Sequence, residues 1–406
     1  MGRNECVTAP ARIRDTGWFP LSRWRIIGGS PETLNPIRPN RVKLLHVYKD
    51  FDPPVSGGIE RHVALTCRFQ RAHADVEALV CRDGVWTRVC ERDGTRVTEA
   101  GAWFRFQGAP AAPAFPWLLR RAAADVVVLH MPNPTAELSW LLARPKAALV
   151  VRYHSDVVRQ AAAMRVYAPV QRRFLADARL ILPTSKAYLD SSATLAPFRG
   201  KCRAVPLGVV PEDFAEADPG AVAALRARYG DPFVLFTGRH RYYKGLPYLV
   251  EAARWINAPV VIAGDGPERP RIERLAASLG APVHFPGHLD DAALRAHLHA
   301  CAVFAFPSVA RSEAFGMSIM EAHACGVPAV ATGLGTGVEF INEDGKTGLN
   351  VPPRDPRALA EAVNQLLGDP EARRAMGSFA RARIAREFDA RAIAEQELKL
   401  YQELLT

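Results

Sequence analysis

No run of about 18 apolar residues occurs anywhere in the 406-residue sequence, which excludes a helix that crosses a membrane. The first residues also lack the apolar core of a secretory leader, so the chain is expected in the cytoplasm. The seven cysteines, Cys6, Cys67, Cys81, Cys90, Cys202, Cys301 and Cys325, contain no CxxC pair and no grouping with histidine at zinc spacing. A disulfide framework or a structural metal site is therefore not expected, and the thiols read as reduced packing residues. No arm of like charges stands out, although the formal net charge is +10. The excess points away from nucleic acid and toward phosphate-bearing substrates or an anionic membrane surface. The dinucleotide fingerprint GxGxxG is missing as well: GDGPE at 264–268 is followed by Arg269 where a third glycine belongs.

What is present is an ordinary globular balance, 49% hydrophobic and 23% charged residues. The length is too great for one core and suits two domains. Residues 1–40 have no periodicity and read as an irregular extension. From VKLLHVY (42–48) onward, short apolar runs at 76–81, 125–131, 148–153, 180–184 and 203–207 alternate with helically spaced segments. A second set of runs falls at 233–237, 259–263, 283–285, 303–306 and 328–331, with helices expected over 246–256, 267–279, 291–300 and 317–325. This rhythm predicts an α/β protein of two Rossmann-like, doubly wound sheets facing a cleft. The domains would span 41–210 and 211–386, joined through a Pro- and acid-rich linker near 208–232. A last helix at 387–406 can return to the N-terminal domain.

Three segments carry chemistry. GGIERHV (57–63) follows the first strand, so Gly57 and Gly58 open a helix whose free N–H groups suit a phosphate. TGRHRYYKG (237–245) follows the first strand of the second half and offers Arg239 and Lys244 as two cations for a diphosphate. SEAFGMSIMEAHACGVPAVATG (312–333) sets a helix start at Gly316, Met317 and Ser318 between two carboxylates, Glu313 and Glu321. Glu321 would lie roughly 7 Å along that helix. That spacing along one side argues against a retaining glycosidase pair, which flanks a single bond about 5–5.5 Å apart. The two glutamates are better placed to touch different parts of one extended ligand.

In this order and spacing, the three segments resemble the family 4 retaining glycosyltransferases of the GT-B fold, of the bacterial polysaccharide and glycolipid type. The likeness covers about 42–405 and is densest over 233–353, where GHLDDAALRAHL (287–298) and GTGVEFINEDGKTGLNVPP (335–353) also fit. The resemblance implies a nucleotide-diphosphate sugar bound mainly by the C-terminal domain and a glycan or lipid-linked saccharide acceptor on the N-terminal domain. It implies that Arg239 and Lys244 hold the diphosphate, Glu313 the sugar hydroxyls and Glu321 the ribose, with Gly57 and Gly58 approaching the diphosphate from the other side. His154, in YHSD (153–156), matches the family's histidine beside the reacting sugar. The contexts YHSDVVRQ and GLGTGVEF resemble mannosyltransferases of surface polysaccharide assembly, so mannose is the expected hexose.

Positioned cations and helix N-termini can stabilise a departing nucleoside diphosphate without a metal or other cofactor. A literal DxD, Asp50-Phe51-Asp52, follows the first strand but lacks the context of a metal-binding diphosphate site. An epimerase or a phosphorylase could share the fold, although no pyridoxal-phosphate lysine context is evident. A nucleotide-sugar-binding protein without activity is the alternative from another class. The arginines between Arg152 and Arg179, namely Arg152, Arg159, Arg165, Arg172, Arg173 and Arg179, suggest a broad basic surface able to meet anionic lipid at the inner face of the cytoplasmic membrane.

Overall fold

The chain is described by a computed structural model over residues 41–406, apart from Ser56, Gln107 and 157–160. The N-terminal half holds β1 (Lys43–Val47), β2 (Asp75–Asp83), β3 (Arg88–Arg92), β4 (Thr95–Ala102), the short hairpin β5 (Phe104–Phe106) and β6 (Ala109–Ala111), β7 (Val126–Met131), β8 (Ala148–Tyr153) and β9 (Leu180–Pro183). The C-terminal half holds β10 (Val234–Thr237), β11 (Val260–Ala263), β12 (Val283–Gly287), β13 (Val303–Phe306), β14 (Ala329–Thr332) and β15 (Gly348–Val351). The first sheet runs β3-β4-β2-β1-β7-β8-β9 and the second β12-β11-β10-β13-β14-β15. Every pairing in both is parallel except β3 with β4.

Helices cover both faces of each sheet, which is why the central strands are continuous apolar runs. β7 (VVVLHM) and β10 (VLFT) are buried at every position. In each sheet the strand order reverses once, between β1 and β7 and between β10 and β13. Crevices outside the carboxyl ends of strands at such reversal points are where doubly wound sheets take ligands. Tyr48 onward, Gly238 onward, His154 and Pro307 onward all leave strands at or next to these two points.

Several local expectations are corrected. The run 203–207 is not a strand: it follows β9 through Arg203 N–H to Ile181 O at 3.0 Å and Val205 N–H to Pro183 O at 3.0 Å without extending the ladder. The stretch near 208–232 is no loose linker, since Leu207, Val209, Val210 and Phe214 are buried and a helix forms over Pro219–Tyr229. Its proline at the start, with Asp218 capping, is a standard helix entry. The expectation missed β3 and β4 because charged residues interrupt them, as in RVCER.

The final helix, Ala390–Glu403, lies against helix Gly58–Gln70 of the N-terminal half. Gln70 Nε2 donates to Ala394 O at 3.2 Å, and Arg152 Nε stands 2.9 Å from Glu397 Oε1. Among the described residues six cysteines are free, and all but Cys90 are buried. Burial raises the Cys81 thiol to about 12 and that of Cys202 to about 11, so both stay protonated.

Candidate functional site

The two helix starts meet. Gly58 heads the helix that follows β1, and a Cβ there would lie 3.1 Å from Met317 Cγ. Met317 heads helix Met317–Ala324, whose N-cap, Gly316, has φ 103° and no side-chain cap. Only glycine adopts that conformation readily, and without a cap the first N–H groups keep free hydrogen-bonding capacity. The N-terminal ends of two helices from opposite halves therefore converge, along with their partial positive charge.

Around this point the loop cations and carboxylates gather. Lys244 and Glu313 are both buried and pair at 2.5 Å, and Ser308 Oγ donates to Glu313 Oε2 at 3.1 Å. Burial alone would lower the Lys244 ammonium, but Glu313 more than reverses this and holds it above the ordinary lysine range. Gly245, at φ 63°, turns the chain so closely over Pro307 that a Cβ would collide with that carbonyl. Tyr243 O accepts from Val309 N–H at 2.8 Å, which ties the Lys244 loop to the Glu313 loop.

Glu321 is buried and accepts from Arg61 Nη1 of the N-terminal half at 3.3 Å. Burial raises its carboxyl, and Arg61 partly offsets this. Arg239 is exposed and has no ion pair within 4 Å among the described residues, yet its charge is felt by Tyr48, Lys49 and Glu60 across the interface. Asp50, of the literal DxD, is already held by Arg105 Nη2 at 2.7 Å. Glu339 accepts from the backbone N–H groups of Gly335 and Thr336, which makes it a local loop brace.

His154 stands at the carboxyl end of β8, two residues before Asp156. Asp156 lies 3.9 Å from Arg311 of the opposite half. The ring is buried, and it stacks on His130 at a centroid distance of 5.3 Å. His46 and His62 complete the group. Burial, joined by neighbouring positive charge, keeps His62, His130 and His154 well below the ordinary imidazole value. The structure thus brings Gly58 against Met317 and Lys244 against Glu313, with the charge of Lys244 felt by Glu321 and that of Arg239 by Glu60; Gly57 and Gly316 cap the two helices, and Ser318 lies in the first turn of the second. His154 sits instead in the histidine cluster, packed on His62 and His130. Sequence alone does not single out Arg61, Ser308 or His130. Arg61 lies inside the GGIERHV motif, and His130 ends a predicted strand just as His154 follows one.

One consequence is a pH effect on stability. Burial lowers His46 to about 4, against its hydrogen bond to Gln70 Oε1, which favours the charged form. Between that value and the unfolded value of about 6.5, the unfolded chain binds the proton and the folded chain does not. Stability is therefore lost as pH falls through this window, by about 3 kcal/mol in all for this one group. Urea unfolding of the wild type and of His46→Leu at pH 7 and pH 4 should differ in pH response by that amount. Parallel responses would mean that His46 is not held neutral.

Residues 222–383 match the family described as glycosyl transferases group 1, and residues 57–208 match the glycosyl transferase 4-like domain. The chain is 35% identical over 372 residues to O-antigen chain mannosyltransferase C of Escherichia coli, spanning 90% of this chain and 99% of that one. It is 33% identical over 353 residues to D-rhamnosyltransferase WbpZ of Pseudomonas aeruginosa, spanning 86% and 93%. Among solved structures, sucrose-phosphate synthase from Thermosynechococcus elongatus superposes with a TM-score of 0.75 at 27% identity, over 90% of this chain and 99% of that one. Anabaena HepE in complex with UDP and glucose gives 0.72 at 20% identity over 89% and 100%, a likeness of fold.

Proposed function

Because this chain belongs to the group 1, family 4-like glycosyltransferases of the GT-B fold, we propose that it transfers a hexose, mannose by preference, from a nucleotide-diphosphate sugar to a glycan or lipid-linked saccharide in surface polysaccharide assembly. The observation that carries this reading is the meeting of the Gly58 and Met317 helix starts, with the charge of Lys244 felt by Glu321 of one helix and that of Arg239 by Glu60 of the other. That arrangement suits a diphosphate bridging the two halves. The names of the two relatives, an O-antigen mannosyltransferase and a rhamnosyltransferase, support a polysaccharide acceptor.

In this reading the bond from the anomeric carbon to the β-phosphate oxygen breaks as negative charge builds on the diphosphate. Lys244, Arg239 and the helix N–H groups stabilise that charge, an electrostatic contribution that does not require a metal. The acceptor oxygen joins the anomeric carbon on the same face, and its proton passes to the departing phosphate. Glu321 holds the ribose. Glu313 holds sugar hydroxyls while it orients Lys244. Transfer is therefore expected to persist in excess EDTA. If chelation abolishes it and Mn²⁺ restores it, Asp50 and Asp52 become ligand candidates and the metal-free account fails.

The basic surface changes in detail. Arg152 is fully buried against Glu397 and backbone carbonyls and leaves the lipid-facing set. Arg159 and the side chain of Arg165 lie outside the described residues, while Arg172, Arg173 and Arg179 are exposed. Three aromatic side chains, Trp103, Phe104 and Phe106, are also more than 60% exposed. Exposed aromatic rings and arginines are the residue types that suit the interface of an anionic membrane. No helix among the described residues is long and apolar enough to cross one. We expect cosedimentation with anionic but not neutral vesicles. Arg172→Glu with Arg173→Glu should weaken it on the order of thirtyfold, at about 1 kcal/mol per basic residue. Equal binding to neutral vesicles, or none to anionic ones, would mean that the positive charge serves something other than a membrane.

A further inference from the structure

The buried histidines form a directed chain. Gln70 Nε2 donates to Ala394 O at 3.2 Å, which fixes its amide so that Oε1 faces His46 Nε2 at 2.9 Å. His46 Nδ1 is 3.1 Å from His130 Nε2, and His130 Nδ1 is 3.0 Å from His154 Nε2. His154 Nδ1 is buried and has no hydrogen-bond partner among the described residues. A neutral imidazole has one donor nitrogen and one acceptor nitrogen. An amide oxygen only accepts, so His46 must carry its proton on Nε2 and accept at Nδ1. His130 must then donate from Nε2 and accept at Nδ1, and His154 must donate from Nε2. Each ring's role follows from the previous one, starting at a backbone carbonyl of the last helix.

We infer that Gln70, His46 and His130 act as a tautomer lock that leaves His154 Nδ1 as a bare hydrogen-bond acceptor, selecting a ligand hydroxyl or amine that donates to it. The inference rests on the proposed transfer and on the family resemblance, which implies that His154 stands beside the reacting sugar. In that setting the three locking groups are positioning residues. A locked acceptor also predicts a preference: a sugar whose contacting hydroxyl is replaced by fluorine or hydrogen cannot donate and is discriminated against. All three rings have values below the ordinary imidazole range because they are buried, so the neutral pattern holds near neutral pH.

A metal is the competing use of the same rings. His62, His130 and His154 each bring a ring nitrogen within 4.8 Å of the others. Two features favour the lock. His130 and His154 already share a hydrogen bond, and Arg152 Nε reaches within 3.4 Å of His62 Nε2, which places a fixed positive charge beside the space.

The test uses the full chain labelled with ¹⁵N-histidine, with the His154 signals assigned by their loss in His154→Asn. The resting enzyme should show His154 protonated at Nε2 and bare at Nδ1. His130→Leu cuts the chain and should give a mixture of tautomers, with kcat/KM lower on the order of tenfold. His130→Gln should restore both, because its oxygen accepts from His154 and its amide nitrogen donates to His46. If His130→Leu does not fold, Gln70→Met opens the chain at its far end and should also mix the His154 tautomers. A wild-type His154 protonated at Nδ1 overturns the inference. So does an equal loss in the Leu and Gln variants with unchanged His154 signals, or stoichiometric zinc whose removal shifts all three rings. The tautomer is read without turnover, so an inactive protein with a locked ring would sink the proposed function and leave the lock standing.

Discussion

Arg239→Ala should cut sugar transfer at least about a hundredfold while leaving the fold intact. The expectation follows from how Arg239 is held. Its side chain is exposed and makes no ion pair within 4 Å among the described residues, so removing it breaks no ion pair among them. It nonetheless sits at the end of β10, where its charge is felt by Lys49 and Glu60 of the other half. A guanidinium left without a protein partner at a crevice lined by helix N-termini is suited to a charge that arrives with the ligand. Circular dichroism unchanged from the wild type, together with a collapse in kcat, is the expected pair of results. Near-wild-type kcat would take Arg239 out of the site. Lys244 is a less clean probe, because its loss would leave the buried Glu313 without its partner.

Glu321→Ala should cost a similar factor, for a different reason. Glu321 is raised by burial and only partly relieved by Arg61, so the fold gains little from its charge. The pair with Arg61, at 3.3 Å, joins a half-buried guanidinium to a buried carboxylate, so Arg61→Ala also tests what Glu321 costs without an ion-pair partner. If Glu321 serves the ligand, Glu321→Ala loses at least about a hundredfold in kcat/KM and Arg61→Ala much less. If it serves only to tie the two halves, the two substitutions should do equal and modest harm. The comparison separates the roles by kinetics, and urea unfolding checks that neither variant has simply lost stability.

The sequence made the strand-to-loop junctions legible because each is a local event: an apolar run ends, and a glycine or a cation follows. Gly58, Lys244 and Gly316 could be assigned that way. Pairing between distant segments could not. Periodicity reports that Glu321 and Arg61 lie on helices, but not that those helices start against each other. Arg152 shows the same limit from the other side. It was counted with the surface arginines, yet it sits in a strand covered on both faces. Glu397 of the last helix and three backbone carbonyls satisfy its guanidinium. His46 and His130 read as single residues inside apolar strands, and only the register of β1 beside β7 brings their rings together. The strand β3 is not legible because RVCER holds three charges around Val89 and Cys90, with neither an apolar run nor alternation, at a sheet edge.

The central claim is that the junction of the two halves takes the diphosphate of a sugar donor and releases it as a leaving group. The most direct measurement follows nucleotide release from UDP-, GDP- and ADP-sugars, with and without a saccharide acceptor, in the wild type and in Arg239→Ala. The account predicts slow release of a nucleoside diphosphate from one donor alone, faster release with acceptor, and at least a hundredfold loss in the variant. Release of a nucleoside monophosphate, or equal release by the variant and the wild type, would contradict it.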